Sequence, residues 1–215
     1  MTISQHPTDE TLTAFAAGNL DQGRSIVVAA HVEMCDRCRG WVATVENIGG
    51  VLLSESPPTT MASDAVSRAF SRIDRGEQMD SAHKDVPAPP DLAMLPRAAR
   101  SYPIGSWRWM GPGVHWRPIE VPADYGARVF LLKAAPGTKM PHHTHTGTEL
   151  TLVLSGAFSH AGGHYGPGDI DEADDTVDHQ PIVAAGEDCV CLVAMEGKLH
   201  LLGAIGRLLQ PFVRI

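Results

Sequence analysis

Apolar positions between Thr8 and Leu53 recur at helical spacing: Leu12, Phe15 and Ala16, then Ile26, Val27 and Ala30, then Trp41, Val42, Val45, Ile48 and Leu52. That period puts each set on one face of an α-helix and predicts three helices. The flanks agree. Thr8 after Pro7 can cap the first helix and Gly18-Asn19 can end it; Asp21 can cap the second, and Gly49-Gly50 weakens the end of the third. The run Glu55-Ser56-Pro57-Pro58-Thr59-Thr60 reads as a connection. A fourth helix then carries Ala62, Ala65, Val66, Ala69, Phe70 and Ile73 on one face, opposite Asp64, Arg68 and Arg72.

From Gly76 to Arg100 the chain is polar and then proline-rich, with Pro87, Pro89, Pro90 and Pro96. This texture predicts a semi-extended tether. Beyond it come short strand-like runs bounded by Gly, Pro and Asp: Trp107–Trp109, Arg128–Lys133, Glu149–Leu154 and Cys189–Ala194. They predict a β-sandwich or barrel. The expected organisation is two domains: an all-α domain over residues 1–80, a linker over 81–103 and an all-β domain over 104–215.

With 215 residues, 43% hydrophobic and 20% charged, the chain can bury real cores. Its formal charge of -8, with no cluster of Lys and Arg, argues against direct nucleic-acid binding and suits a basic protein partner. Residues Met1–Leu12 lack a basic stretch followed by an apolar one, and no run of about 18 apolar residues occurs, so a cytoplasmic location without a membrane partner is expected. In a reducing compartment, four cysteines point to metal ligands, redox thiols or buried small residues more than to disulfides.

His31, Cys35 and Cys38 form a His-x3-Cys-x2-Cys cluster at the seam of the second and third helices. Two thiolates across a turn converge on one tetrahedral ion, and a His one helical turn earlier points to the same side. His6, just ahead of the first helix, is the fourth candidate ligand. A redox pair would sit at a strand-to-helix junction that this region lacks. Three short helices bury little, so a structural zinc worth roughly 10–16 kcal/mol would decide whether they fold.

A second constellation lies between Gly137 and Gly156. His143 and His145, two apart, face one side of a strand, and Glu149 follows four residues later. Imidazole and carboxylate suit a divalent first-row metal. His179, beyond the turn Gly166-Pro167-Gly168-Asp169, completes the candidate set, while the adjacent His142 would point away. Cys189 and Cys191, His115, His160, His164 and His200, and Trp107, Trp109 and Trp116 are expected to be packing or surface residues.

Gly137, His143, His145, Glu149 and Gly156 resemble the first cupin motif at every defined position, and Pro167-Gly168-Asp169 followed by His179 is a looser version of the second. The resemblance implies a double-stranded β-helix barrel. Taken with the His-x3-Cys-x2-Cys unit and the fourth amphipathic helix, the chain resembles the ChrR family of zinc-binding anti-sigma factors over nearly its whole length. That resemblance implies that the helical domain binds a group IV (extracytoplasmic-function) sigma factor as a 1:1 complex, inhibiting transcription without enzymatic activity. It further implies that an oxidative, singlet-oxygen-type signal relieves inhibition through the cupin, which would hold a second divalent metal, expected to be zinc, and receive a small-molecule ligand or oxidant. The rival from another class is a metal-dependent, dioxygenase-like cupin enzyme with a helical regulatory domain. A DNA-binding zinc regulator is a third reading that the charge disfavours.

Overall fold

The computed structural model describes residues 2–76, 87–122 and 126–201. Helices α1 (Asp9–Ala16), α2 (Gln22–Met34) and α3 (Asp36–Glu55) lie where the periodicity places them. Thr8 and Asp21 cap α1 and α2, their side chains accepting from the Thr11 and Arg24 amides at 3.2 and 3.1 Å. Helix α3 continues through Gly49-Gly50 and stops at Glu55, where Ser56 turns extended ahead of Pro57. Helix α4 (Ala65–Asp74) follows the connection and buries none of its residues.

Eleven strands occur among the described residues: β1 (Arg108–Gly111), β2 (Val114–Ile119), β3 (Arg128–Ala134), β4 (His143–His145), β5 (Glu149–Ser155), β6 (Phe158–His160), β7 (Gly163–Tyr165), β8 (Ile170–Ala173), β9 (Ile182–Val183), β10 (Cys189–Met195) and β11 (Leu199–Leu201). An antiparallel sheet in the order β1-β2-β3-β10-β5-β8 shares an interior with two smaller sheets, β11-β4 and β7-β6-β9. The fold class is therefore helical at the N-terminus and cupin-like at the C-terminus.

Strand β10 shows how the two halves meet. Every one of its residues is buried. Cys191, Val193 and Met195 face the barrel interior with Phe130 and Phe158, whereas Val190, Leu192 and Ala194 join a second core with Val27 and Val28 of α2. A strand covered on both faces reads as an unbroken apolar run for this reason. Gly23 lets α2 lie directly on the sheet: a Cβ there would collide with the carbonyl oxygen of Ala127.

The described part of the expected tether is packed, which corrects that reading. Leu92, Leu95 and Ala99 are fully buried in the core shared by α2 and the sheet. Pro90 and Pro96 open a 3-10 turn (Pro90–Leu92) and a short helix, α5 (Arg97–Arg100), because a fixed φ and a missing N–H suit the start of a helix as well as an extended spacer. Glu33 of α2 accepts from the Arg97 and Ala98 amides at 2.9 and 2.8 Å. Residues 77–86 of the proposed domain boundary, and 202–215 of the expected cupin span, lie outside the described residues.

Candidate metal centres

The last turn of α2 supplies His31, Cys35 is the residue between α2 and α3, and Cys38 sits in the first turn of α3. His6 arrives from the segment before α1. The structure brings all four together, with their ligand atoms within 4.8 Å of one another. His31 Nε2 lies 3.2 Å from Cys38 Sγ, and His6 Nδ1 lies 3.5 and 3.4 Å from the sulfurs of Cys35 and Cys38. Zinc–sulfur and zinc–nitrogen bonds of about 2.3 and 2.0 Å give tetrahedral edges of roughly 3.5 Å, so the set fits a single zinc ion.

The surroundings suit these residues to metal binding. His31 is fully buried, and its Nδ1 donates to the Gly168 carbonyl at 2.8 Å, leaving the Nε2 lone pair for the ion. Burial lowers the His31 pKa to about 4 and keeps the ring neutral. Burial, reinforced by neighbouring Cys35, pushes the Cys38 thiol up to about 12. Adjacent buried thiolates need a cation, which a bound divalent metal would supply.

Gly168 belongs to the barrel, in the turn that precedes β8. Its neighbour Asp169 accepts from the Ser4 and Gln5 amides at 2.7 and 2.9 Å and from Gly166 N at 2.8 Å, and Ile170 N donates to Gln5 O. The residues leading to His6 are thus laced to the barrel. Sequence reasoning took Gly166-Pro167-Gly168-Asp169 for a turn and part of a loose second cupin motif; no local signal marks it as the N-terminal dock.

In the barrel, β4 presents His143 and His145 to the same side, and the segment carrying His179 pairs with it through reciprocal His143–His179 backbone hydrogen bonds of 3.2 Å. His179 Nε2 lies 3.0 Å from His143 Nε2 and 3.2 Å from His145 Nε2. Three converging Nε2 atoms at these separations fit one ion with nitrogen bonds of about 2.0–2.1 Å. His143 Nδ1 donates to Pro141 O at 2.7 Å, which fixes its tautomer. Burial lowers the His179 pKa to about 3.

Glu149 stands differently from the three histidines. Its Oε2 lies 3.4 Å from Nδ1 of His145, the ring nitrogen turned away from the convergent set, and Oε1 accepts from Thr151 Oγ1 at 2.9 Å. Asp171 of β8 mirrors it: Oδ2 is 3.8 Å from His179 Nδ1 and 2.8 Å from His160 Nε2. Each carboxylate thus lies behind one histidine of the convergent set, though neither the His145 nor the His179 Nδ1 makes a hydrogen bond among the described residues. Asp171 escaped the sequence reading, although an acid facing into a barrel strand of the pattern Ile-Asp-Glu-Ala is a usable signal. His160, half-buried, sits on that acid and with Asp171 and His179 forms a further group of potential metal ligands, while exposed His142 turns away to Asp178. Cys189 and Cys191 pack in the barrel with sulfurs 3.7 Å apart. Trp116 packs edge-on against Phe130, but Trp109 is 68% exposed, against its expected packing role.

The family profile of the ChrR cupin-like domain matches residues 104–198. Over 217 aligned positions, spanning the whole of both chains, the sequence is 37% identical to the anti-sigma-E factor ChrR of Cereibacter sphaeroides. This chain belongs to the ChrR family. The ChrR-type arrangement extends to three dimensions: the structure is similar to ChrR from the crystal structure of Rhodobacter sphaeroides SigE in complex with that anti-sigma factor. The match has a TM-score of 0.76 and 32% identity, covering 91% of this chain and all of the other. In this ChrR-family fold the His6, His31, Cys35 and Cys38 set borders the core shared by α2 and the sheet, and among the described residues no helix is long and apolar enough to cross a membrane.

Proposed function

We propose that this chain is an anti-sigma factor that sequesters a group IV (extracytoplasmic-function) sigma factor in a 1:1 complex and keeps it from core RNA polymerase. The observation that carries this reading is an uncovered apolar surface on the helical domain. Phe70 and Ile73 of α4 are 62% and 70% exposed, and Ile48, Val51, Leu52 and Leu53 on the second half of α3 are also open. Fully burying one such side chain is worth about 1.5–3 kcal/mol. A helix this amphipathic, none of whose residues is buried among the described residues, suits the helix-in-groove mode of partner binding. Full-length similarity to an anti-sigma-E factor, and to a ChrR chain crystallised with SigE, supports the same partner class.

In this reading His6, His31, Cys35 and Cys38 hold a structural zinc that shapes the sigma-binding domain. His143, His145 and His179 hold a second divalent metal in the cupin, with Glu149 beside them. The cupin receives an oxidative signal that relieves inhibition in the cytoplasm. The role is one of binding, with no reaction assigned to the barrel. Co-expression with a group IV sigma factor, followed by gel filtration and metal analysis, tests it. Co-elution at 1:1 with zinc is the expected result, and elution of each protein alone would overturn it.

A further inference from the structure

We propose that the barrel binds a monocarboxylate with a hydrocarbon tail, its head on the cupin metal and its tail in the cavity beside it. The inference rests on reading His143, His145 and His179 as a metal centre, and not on the sigma factor. A cavity of about 620 Å³ runs through the barrel interior, a volume typical of small-molecule sites. Its wall is built largely by the inward faces of β2, β3 and β10, including Val114, Phe130, Leu132, Val193 and Met195. Closed barrels of this size can fill such space with their own side chains, and a void in a core costs stability. An apolar hole beside a metal cluster therefore matches a tail.

The polar residues on this wall gather at the metal set: His143 and His179 are joined by Glu149, Thr151 and Asp171. Apart from them the wall offers Thr138 and exposed Lys139. Glu149 and Asp171 stand behind the rings of His145 and His179, so only imidazoles converge on the ion's position, and the open positions of a divalent ion held there would suit a carboxylate oxygen. So large an apolar share of the wall favours one charge and disfavours sugars, phosphates and dicarboxylates. Trp109 lines the cavity while remaining 68% exposed, and this places it at the mouth as a reporter of entry.

The test uses the full-length, zinc-loaded chain titrated with hexanoate, octanoate and decanoate, read by calorimetry and tryptophan fluorescence. Affinity should rise about three- to fourfold per added methylene. Decanol should bind at least tenfold more weakly than decanoate. Val193→Trp, which fills the cavity, should abolish binding with the metal content unchanged, separating the cavity from the exposed faces of α3 and α4. Should that variant misfold, the chain-length series and decanol comparison on the native protein still decide. No binding, affinity independent of chain length, or equal binding of decanoate by the metal-free His143→Ala variant would overturn the proposal. Sigma co-elution, measured on the same preparation, reports separately on the anti-sigma reading.

Discussion

His31 of the helical domain donates its Nδ1 hydrogen to the Gly168 carbonyl of the barrel across 2.8 Å. A residue proposed to bind the first metal is thereby oriented, from one domain, by the backbone of the other. The next residue, Asp169, holds the amides of Ser4 and Gln5 immediately ahead of His6. Two of the four residues proposed to bind the first zinc thus take their position from the cupin.

Replacing Asp169 by Ala should loosen His6 without touching any ligand. It removes three amide hydrogen bonds to a carboxylate, a loss of about 1.5–3 kcal/mol for each well-made one before relaxation. Zinc transfer from the first site to a chromogenic chelator should accelerate at least tenfold while the cupin metal stays. Unchanged transfer kinetics would mean that the barrel does not position the site.

Cys38→Ser removes a thiolate from the proposed zinc set and leaves its buried partners without an ion. Bound zinc should drop by about one per chain, helical circular dichroism should fall, and sigma binding should be lost. A zinc-depleted variant that still inhibits would contradict a structural role for the metal.

In the cupin, His143→Ala should abolish metal binding, whereas Glu149→Gln should weaken it only about 10–100-fold, the usual scale for a carboxylate acting through a ligand histidine. Complete metal loss in Glu149→Gln would make Glu149 a direct ligand.

On the open face, Phe70→Asp and Ile73→Asp should change folding stability by no more than about 0.5 kcal/mol, because both residues are exposed. They should weaken the sigma complex at least tenfold in a pull-down titration. Wild-type affinity in the double variant would place the partner elsewhere.

Acid sensitivity follows from the buried histidines. His31 titrates near 4 and His179 near 3 when folded, against 6.5 as the ordinary value, so the unfolded chain binds more protons and stability rises with pH. Their contribution is complete above pH 6.5 and lost as pH falls toward 4 and 3. For His31 alone the shift corresponds to roughly 3 kcal/mol. Thermal melts of the metal-loaded chain, in which proton uptake by these histidines also competes with the ion, should be flat above about pH 7 and drop steadily below 6.5. A flat profile down to pH 5 would refute this.

What the sequence made legible was local. Helix spacing, the caps Thr8 and Asp21, the His-x3-Cys-x2-Cys seam and the paired His143 and His145 each depend on residues within a turn or a strand of one another. His179 was reachable because a turn returns the chain to β4. The contacts of Gly168 with His31, and of Asp169 with Ser4, span more than 130 residues, and nothing in a Gly-Pro-Gly-Asp turn announces them. The prolines of the supposed tether carried two meanings, spacer or helix start, and only the burial of Leu92 and Leu95 separates them. Gly23 inside α2 did hold a signal, since glycine in a helix interior is costly unless another backbone approaches closely.

The most direct test of the central claim is a competition for the sigma factor. Purified core RNA polymerase, a group IV sigma factor and its promoter are assayed for transcript with increasing amounts of this chain. The account predicts that transcription falls to background near one equivalent of chain per sigma factor, and that core polymerase added in excess restores it. Undiminished transcription with the chain in excess, using its natural sigma partner, would contradict it.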